Sequence, residues 1–230
     1  FWYLNKMSKI NIDISKLIDL NKLKNIFNIN LNIFIRTILL TFSFFWFTYL
    51  GSQIGEDYIA ANAILINLVF LSAFILDAYA FSTEGMVGYS LGKKDISLFK
   101  KIVKNSFILS TLTGLIISII YFFINKYVIA LMSDIETIRN LSSSYAVWLI
   151  LMPLISSFCY QFDGIFIGAS QTKELRNAMI FSVFSYLALS LLLTEVMGNS
   201  GIWISLCLFM ILRAFSLLYY MDKIYLRFNN

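Results

Sequence analysis

Residues 58–95 read YIAANAILINLVFLSAFILDAYAFSTEGMVGYSLGKKD, with Glu56 and Asp57 just before them and the pair Lys93/Lys94 near their end. Within this stretch Tyr58–Leu76 carries no charge over 19 residues. A helix needs about 20 mainly apolar residues to cross the hydrocarbon core of a bilayer. Working outward, the other charge-free gaps are Thr37–Gly55 (19 residues), Asn105–Asn125 (21), Asn140–Phe162 (23), Asn177–Thr194 (18) and Val196–Leu212 (17). Each must be helical, because lipid offers backbone N–H and C=O groups no partner. Runs such as LLTFSFFWF (39–47) lack the period of two that a barrel strand shows. The fold class is therefore all-α and integral to the membrane, with spans at about 33–54, 58–91, 102–131, 137–169, 173–195 and 200–222.

Composition agrees with this reading. The chain is 59% hydrophobic, 17% aromatic and 13% charged, with a mean hydropathy of +0.77. A soluble domain carries about 25% charged residues to wet its surface. With no histidine, imidazole bases, histidine metal sites and Ser-His-Asp triads are excluded. Cys159 and Cys207 lie in apolar runs, where they form neither a metal pattern nor a disulfide framework. GMVGYSLGKKD (85–95) lacks the spacing of a phosphate loop. The aromatic run Phe42–Phe47 covers every face of its helix, so it is expected to meet lipid and neighbouring helices rather than form a drug cage.

Six spans put both ends of the chain on one side. Sixteen of the 18 basic residues fall on that side, and only Lys126 and Arg139 on the other. Cytoplasmic loops carry the excess of Lys and Arg, so both ends are expected to be cytoplasmic. The net charge of +5 is then a topology signal and no nucleic-acid patch. Residues 1–30 form a cytoplasmic linker or interfacial segment, with Leu17, Leu20, Leu23 and Phe27 on one loose stripe. The opening Phe1-Trp2-Tyr3-Leu4 has the aromatics of an interfacial span end. On that reading the chain is a piece of something longer.

Polar groups inside spans are costly, and so they point to function. Asp77 falls near the middle of the second span, and Glu84 lies seven residues on, ~10 Å nearer the lysine-rich end. Asn62, Ala73, Asp77, Ala80 and Glu84 share one stripe, a face that turns toward helices or water rather than lipid. Both acids have a structural alternative as partners of Arg36 and Arg213. In the fourth span Pro153 removes a backbone hydrogen bond and is expected to break the helix. Asp163 follows ten residues later, next to the small-xxx-small pair Gly164 and Gly168. Acids near broken helices recur in ion-coupled transporters. Asp163, Asp77 and Glu84 are thus the candidates for cation coupling, with Asp163 expected to be an unpaired carboxylate neutralised by a proton or a bound cation; its structural alternative is a helix-packing acid bonded to neighbouring hydroxyls.

AANAILINLVFLSAFILDAYAFSTEGMVGYSLGKKD (60–95) resembles the second span and following loop of the C-terminal half of multidrug and toxic compound extrusion (MATE) transporters. FIRTILLTFSFF (34–45), FDGIFIGASQTKELRNAM (162–179) and GIWISLCLFMILR (201–213) are similar to the DinF-like branch. The resemblance implies one six-helix lobe of a twelve-helix, two-lobe transporter in the inner (plasma) membrane. It implies export of small organic, often cationic, compounds by alternating access against protons or sodium ions, with no further cofactor and with the N-terminal six-helix half as partner. It places Asp163 where one branch of the family has a cation-binding Asp. That branch also uses a Glu in the first span, and Thr37–Gly55 has no acid. A lipid-linked-oligosaccharide flippase of the same superfamily is the alternative within transport. An intramembrane enzyme is the alternative from another class, and neither the Asp-rich diphosphate motif nor the Glu/His metal pair that it would need is present.

The charge asymmetry makes a direct prediction. In intact cells, with Cys159 and Cys207 replaced, an impermeant maleimide should label Gln53→Cys and leave Asp95→Cys unlabelled; the reverse pattern would invert the topology.

Overall fold

The computed structural model describes residues 20–228, as helices joined by short connections. They are α1 (Leu20–Ile54), α2 (Glu56–Gly92), α3 (Ile96–Met132), α4 (Glu136–Ser144), α5 (Ala146–Gly168), α6 (Thr172–Met197), α7 (Asn199–Tyr219) and α8 (Met221–Tyr225), followed by a 3₁₀ turn, Leu226–Phe228. Among the described residues, six helical stretches are long and apolar enough to cross a membrane. Connections of a few residues between long neighbours make successive spans antiparallel.

Local chemistry sets the ends. At the α2–α3 turn Lys94 takes the left-handed conformation (φ 55°), and the N–H groups of Lys94 and Asp95 close back on the carbonyls of Leu91 and Ser90. Such a closure satisfies the last carbonyls of a helix. Asp95 then caps α3, accepting from the Leu98 N–H at 2.9 Å and the Ser97 hydroxyl at 2.7 Å. These donors, the backbone N–H of Leu98 first, hold its carboxyl below the usual range. The same closure recurs after α5, where Ser170 is left-handed (φ 53°).

Two boundaries differ from the sequence expectation. Residues 20–30, expected to be a separate segment, are continuous with the first span in α1, and Leu20, Leu23 and Phe27 are exposed along it. Leu17 and the other residues before 20 lie outside the described residues. The fourth span is divided at Tyr145 into α4 and α5, whereas the helix carries through Pro153. Packing accounts for the intact helix. Gly114 of α3 lies against Pro153, where an added Cβ would come 2.8 Å from the Pro153 carbonyl oxygen. A neighbouring helix this close can support a stretch that has lost one backbone bond.

The α2–α5 seam is the most extensive in the bundle together with α6–α7, and α3 packs on the outside of α2 and α5. Gly164 and Gly168 make the α2–α5 seam possible. A Cβ on either would collide with the backbone of α2, at the carbonyl oxygens of Ala80 and Glu84 respectively. The small-residue pair of α5 thus meets the Ala80/Glu84 stripe of α2. The aromatic run divides as its periodicity expects: Phe47 is buried edge-on to Trp203 at 4.8 Å, while Phe42 and Phe45 are exposed. At the lysine-rich end, Phe99 meets Tyr225 edge-on and Phe228 at a tilt, Lys223 pairs with Glu174 at 3.0 Å, and Arg227 donates to the Ala169 carbonyl.

The seam can be tested by adding carbon to it. Gly164→Leu should destabilise the purified protein by at least the ~1–3 kcal/mol typical of overpacking, read as thermal unfolding in detergent. Gly92→Leu, where nothing lies within 4 Å of an added Cβ, should change it little.

Candidate functional site: an arginine–aspartate cluster

Asp163 is 5% exposed and Arg213 1% exposed, so a carboxylate and a guanidinium are shut away from solvent between α5 and α7. Arg213 Nη2 donates to Asp163 Oδ2, and Arg36 Nη2, arriving from α1, donates to the same oxygen. Three helices therefore converge on one atom. Asp163 Oδ1 and the Nε atoms of both arginines are buried with no hydrogen-bond partner. This corrects the expectation for Asp163: it is a doubly paired anion rather than an unpaired carboxylate awaiting a cation. The reason is electrostatic. Two guanidinium groups and a carboxylate at one depth are far less costly together than apart.

The same geometry corrects the partners proposed for the α2 acids. Asp77 and Glu84 are half-buried, and neither forms a hydrogen bond or ion pair among the described residues. Asp77 nevertheless lies within electrostatic reach of Asp163, Arg213 and Arg36. The structure thus brings Arg36, Asp163, Arg213 and Asp77 into one neighbourhood. Glu84 is set apart along α2, with its backbone against Gly168.

A second polar centre was not singled out from sequence. Asn62 and Asn199 exchange side-chain hydrogen bonds at 2.6 and 3.0 Å, and Trp203 Nε1 donates to Asn62 Oδ1 at 2.9 Å. Paired in this way, two amides and an indole meet most of one another's needs inside the bundle. Asn62 lay on the α2 stripe already noted, but Asn199 follows Gly198 at the start of α7 with no sequence signal. Gln161, fully buried, accepts from Thr83 at 3.0 Å and leaves its amide nitrogen without a partner.

Residues 33–196 match the MatE family. The chain belongs to that family. The family is one of membrane transporters rather than enzymes. The MatE chain is 33% identical over 189 residues to DNA damage-inducible protein F of Escherichia coli, a match covering 82% of this chain and 41% of that protein. It is 22% identical to Protein DETOXIFICATION 43 of Arabidopsis thaliana, over 78% of this chain and 34% of that one. Among solved structures, a MATE protein in complex with MaL6 superposes with a TM-score of 0.80 at 14% identity, over 90% of this chain and 48% of that chain. A MATE transporter of Vibrio cholerae gives 0.78 at 18% identity, over 94% and 48%. A MOP-superfamily transporter of Pyrococcus furiosus gives 0.77 at 20% identity, over 86% and 44%. The MatE chain thus spans about half the length, or less, of the relatives it matches.

Removing the central carboxylate should expose what it holds. Asp163→Asn leaves Arg213 buried with its charge uncompensated, a change worth about 3–5 kcal/mol when one partner of a buried pair is lost. Thermal unfolding of the purified protein should show that loss, and Asp163→Asn/Arg213→Gln should recover much of it. Equal stability of the single and double variants would show that the pair is not coupled.

Proposed function

We propose that these helices form the C-terminal lobe of a secondary-active exporter of the DinF-like branch. In this reading the lobe faces a second six-helix half across a central path, and alternating access exchanges organic, cationic compounds for protons or sodium ions. The membrane is the inner (plasma) membrane, with both ends of this chain cytoplasmic, as the lysine-rich ends of the spans favour. The observation that carries the proposal is the composition of the buried cluster.

Arg36 and Arg213 balance Asp163 and Asp77 when both acids are ionised. Asp163 is held by two guanidinium groups on one oxygen. Asp77 has no such clamp. Protonating it, or cancelling its charge with a sodium ion, leaves the neighbourhood with one net positive charge. A cationic compound bound nearby is then repelled, and in the ionised state it is accepted. Because lipid and packed helices screen charge weakly, one elementary charge is worth far more here than at a wetted surface. Coupling follows, since binding of ion and of substrate oppose each other through the same field. This moves the coupling role proposed for this lobe from Asp163 to Asp77. Glu84, further along α2, is the secondary candidate.

Asp77→Asn tests the assignment. In proteoliposomes of the full-length protein under an imposed proton or sodium gradient, efflux of a cationic dye should fall to the level of empty liposomes, with thermal stability retained. Wild-type gradient-driven efflux by Asp77→Asn would remove Asp77 from the coupling role and leave it to Glu84 or to the other lobe.

A further inference from the structure

Several grooves open on the sides of the described helices. One, about 650 Å³ between α3, α5 and α7, is lined by carbon alone and has no polar group that could choose an occupant. Another, about 440 Å³ between α2 and α3, is different in kind. Its walls include Tyr79, Ser82 and Met86 from α2 and Lys101, Asn105 and Leu109 from α3.

Depth gives these residues their meaning. The charge-free part of α3 begins at Asn105, immediately after Lys100, Lys101 and Lys104. Lysines at that boundary mark the headgroup level. Leu109, four residues further in, is ~6 Å deeper at the helical rise. The groove therefore runs from a cationic mouth at the headgroup level, past the Asn105 amide and the Ser82 hydroxyl, to an apolar wall in the hydrocarbon. At its inner end the Tyr79 hydroxyl is already engaged by Thr113 at 2.9 Å. Thr83 and Ser106 bond back to carbonyls of their own helices. Lys101, Ser82 and Asn105 are exposed and make no hydrogen bond or ion pair among the described residues. Ordinary acyl chains would leave the amide and hydroxyl unmet at this depth, at a cost.

We infer that the α2–α3 groove binds an anionic glycerophospholipid, its phosphate at Lys101, its glycerol oxygens at Ser82 and Asn105, and an acyl chain against Leu109 and the ring of Tyr79. The order of the groove (cation, then polar groups, then carbon) is the order of such a lipid from headgroup to tail. This inference rests on membrane embedding and on the groove alone, and it stands whatever the transported compound is.

Native mass spectrometry of the full-length protein, delipidated and titrated with phosphatidylglycerol or phosphatidylcholine, tests it. Phosphatidylglycerol should bind more tightly than phosphatidylcholine. Lys101→Gln should lower its affinity about fivefold, the worth of one basic residue at an anionic surface. Asn105→Leu should weaken both lipids, and Lys126→Gln at the opposite end should change neither. Equal affinity of wild type and Lys101→Gln for phosphatidylglycerol would overturn the site. So would a Ser82→Cys variant, free of other cysteines, that stays unreactive to a thiol probe after delipidation, because a protein segment would then cover the groove.

Discussion

A guanidinium group enclosed in a membrane bundle has to meet an acid, and Arg213 is almost wholly enclosed. Asp163 is the acid it meets, and Arg36 reaches the same oxygen from α1. Much of the arrangement of the bundle is consistent with this constraint. The α5 and α7 helices must cross where the two side chains can touch, and α1 must approach closely enough for its arginine to join them. A buried ion pair is a weak source of net stability, since desolvation offsets most of the attraction. Its larger effect is on specificity, as any packing that separates these groups leaves bare charge in a medium that solvates it poorly. We read the cluster as a device that selects one arrangement of three helices.

The spans were legible because lipid imposes a one-dimensional rule: charges interrupt the runs, and the runs have the length of a bilayer. Gly164 and Gly168 were legible as a close-contact face, and the Asn62–Glu84 stripe as the face of α2 that turns inward. The meeting of those two faces was not legible. Arg36 and Arg213 were legible as charge partners, but the acid they share was not, because Arg36 and Asp163 are 127 residues apart in sequence and Asp163 and Arg213 are 50 apart. Periodicity states which side of a helix is special, and it is silent on the axial register between helices. The same gap hid the Asn62–Asn199 exchange. Pro153 misled for a related reason: its effect on α5 depends on Gly114, a residue of another helix.

The two ends of the bundle are held in different ways. At the lysine-rich end the contacts are charged and aromatic: Lys223 with Glu174, Arg176 with Asn32, and Phe99 under Tyr225 and Phe228. Toward the other end Asn62, Asn199 and Trp203 form a compact neutral group. Ionic contacts weaken with salt where water reaches them, while enclosed amide contacts do not. The described part of the chain therefore has one end sensitive to its surroundings and one end largely insulated from them.

The contact of Gly164 and Gly168 with α2 has a mechanical consequence. Each glycine fits against a backbone carbonyl of α2, so a small axial slide would drive oxygen into carbon at both positions at once. Sliding along this seam is blocked for anything short of a coarse jump, and α2 and α5 behave as a single rigid beam. Whatever shape change the bundle undergoes must be absorbed elsewhere. The least enclosed long helix is α1, whose most apolar stretch is only 17% buried. Strain applied to the beam will be relieved first at the joint between α1 and its neighbours, where Arg36 acts as the tether.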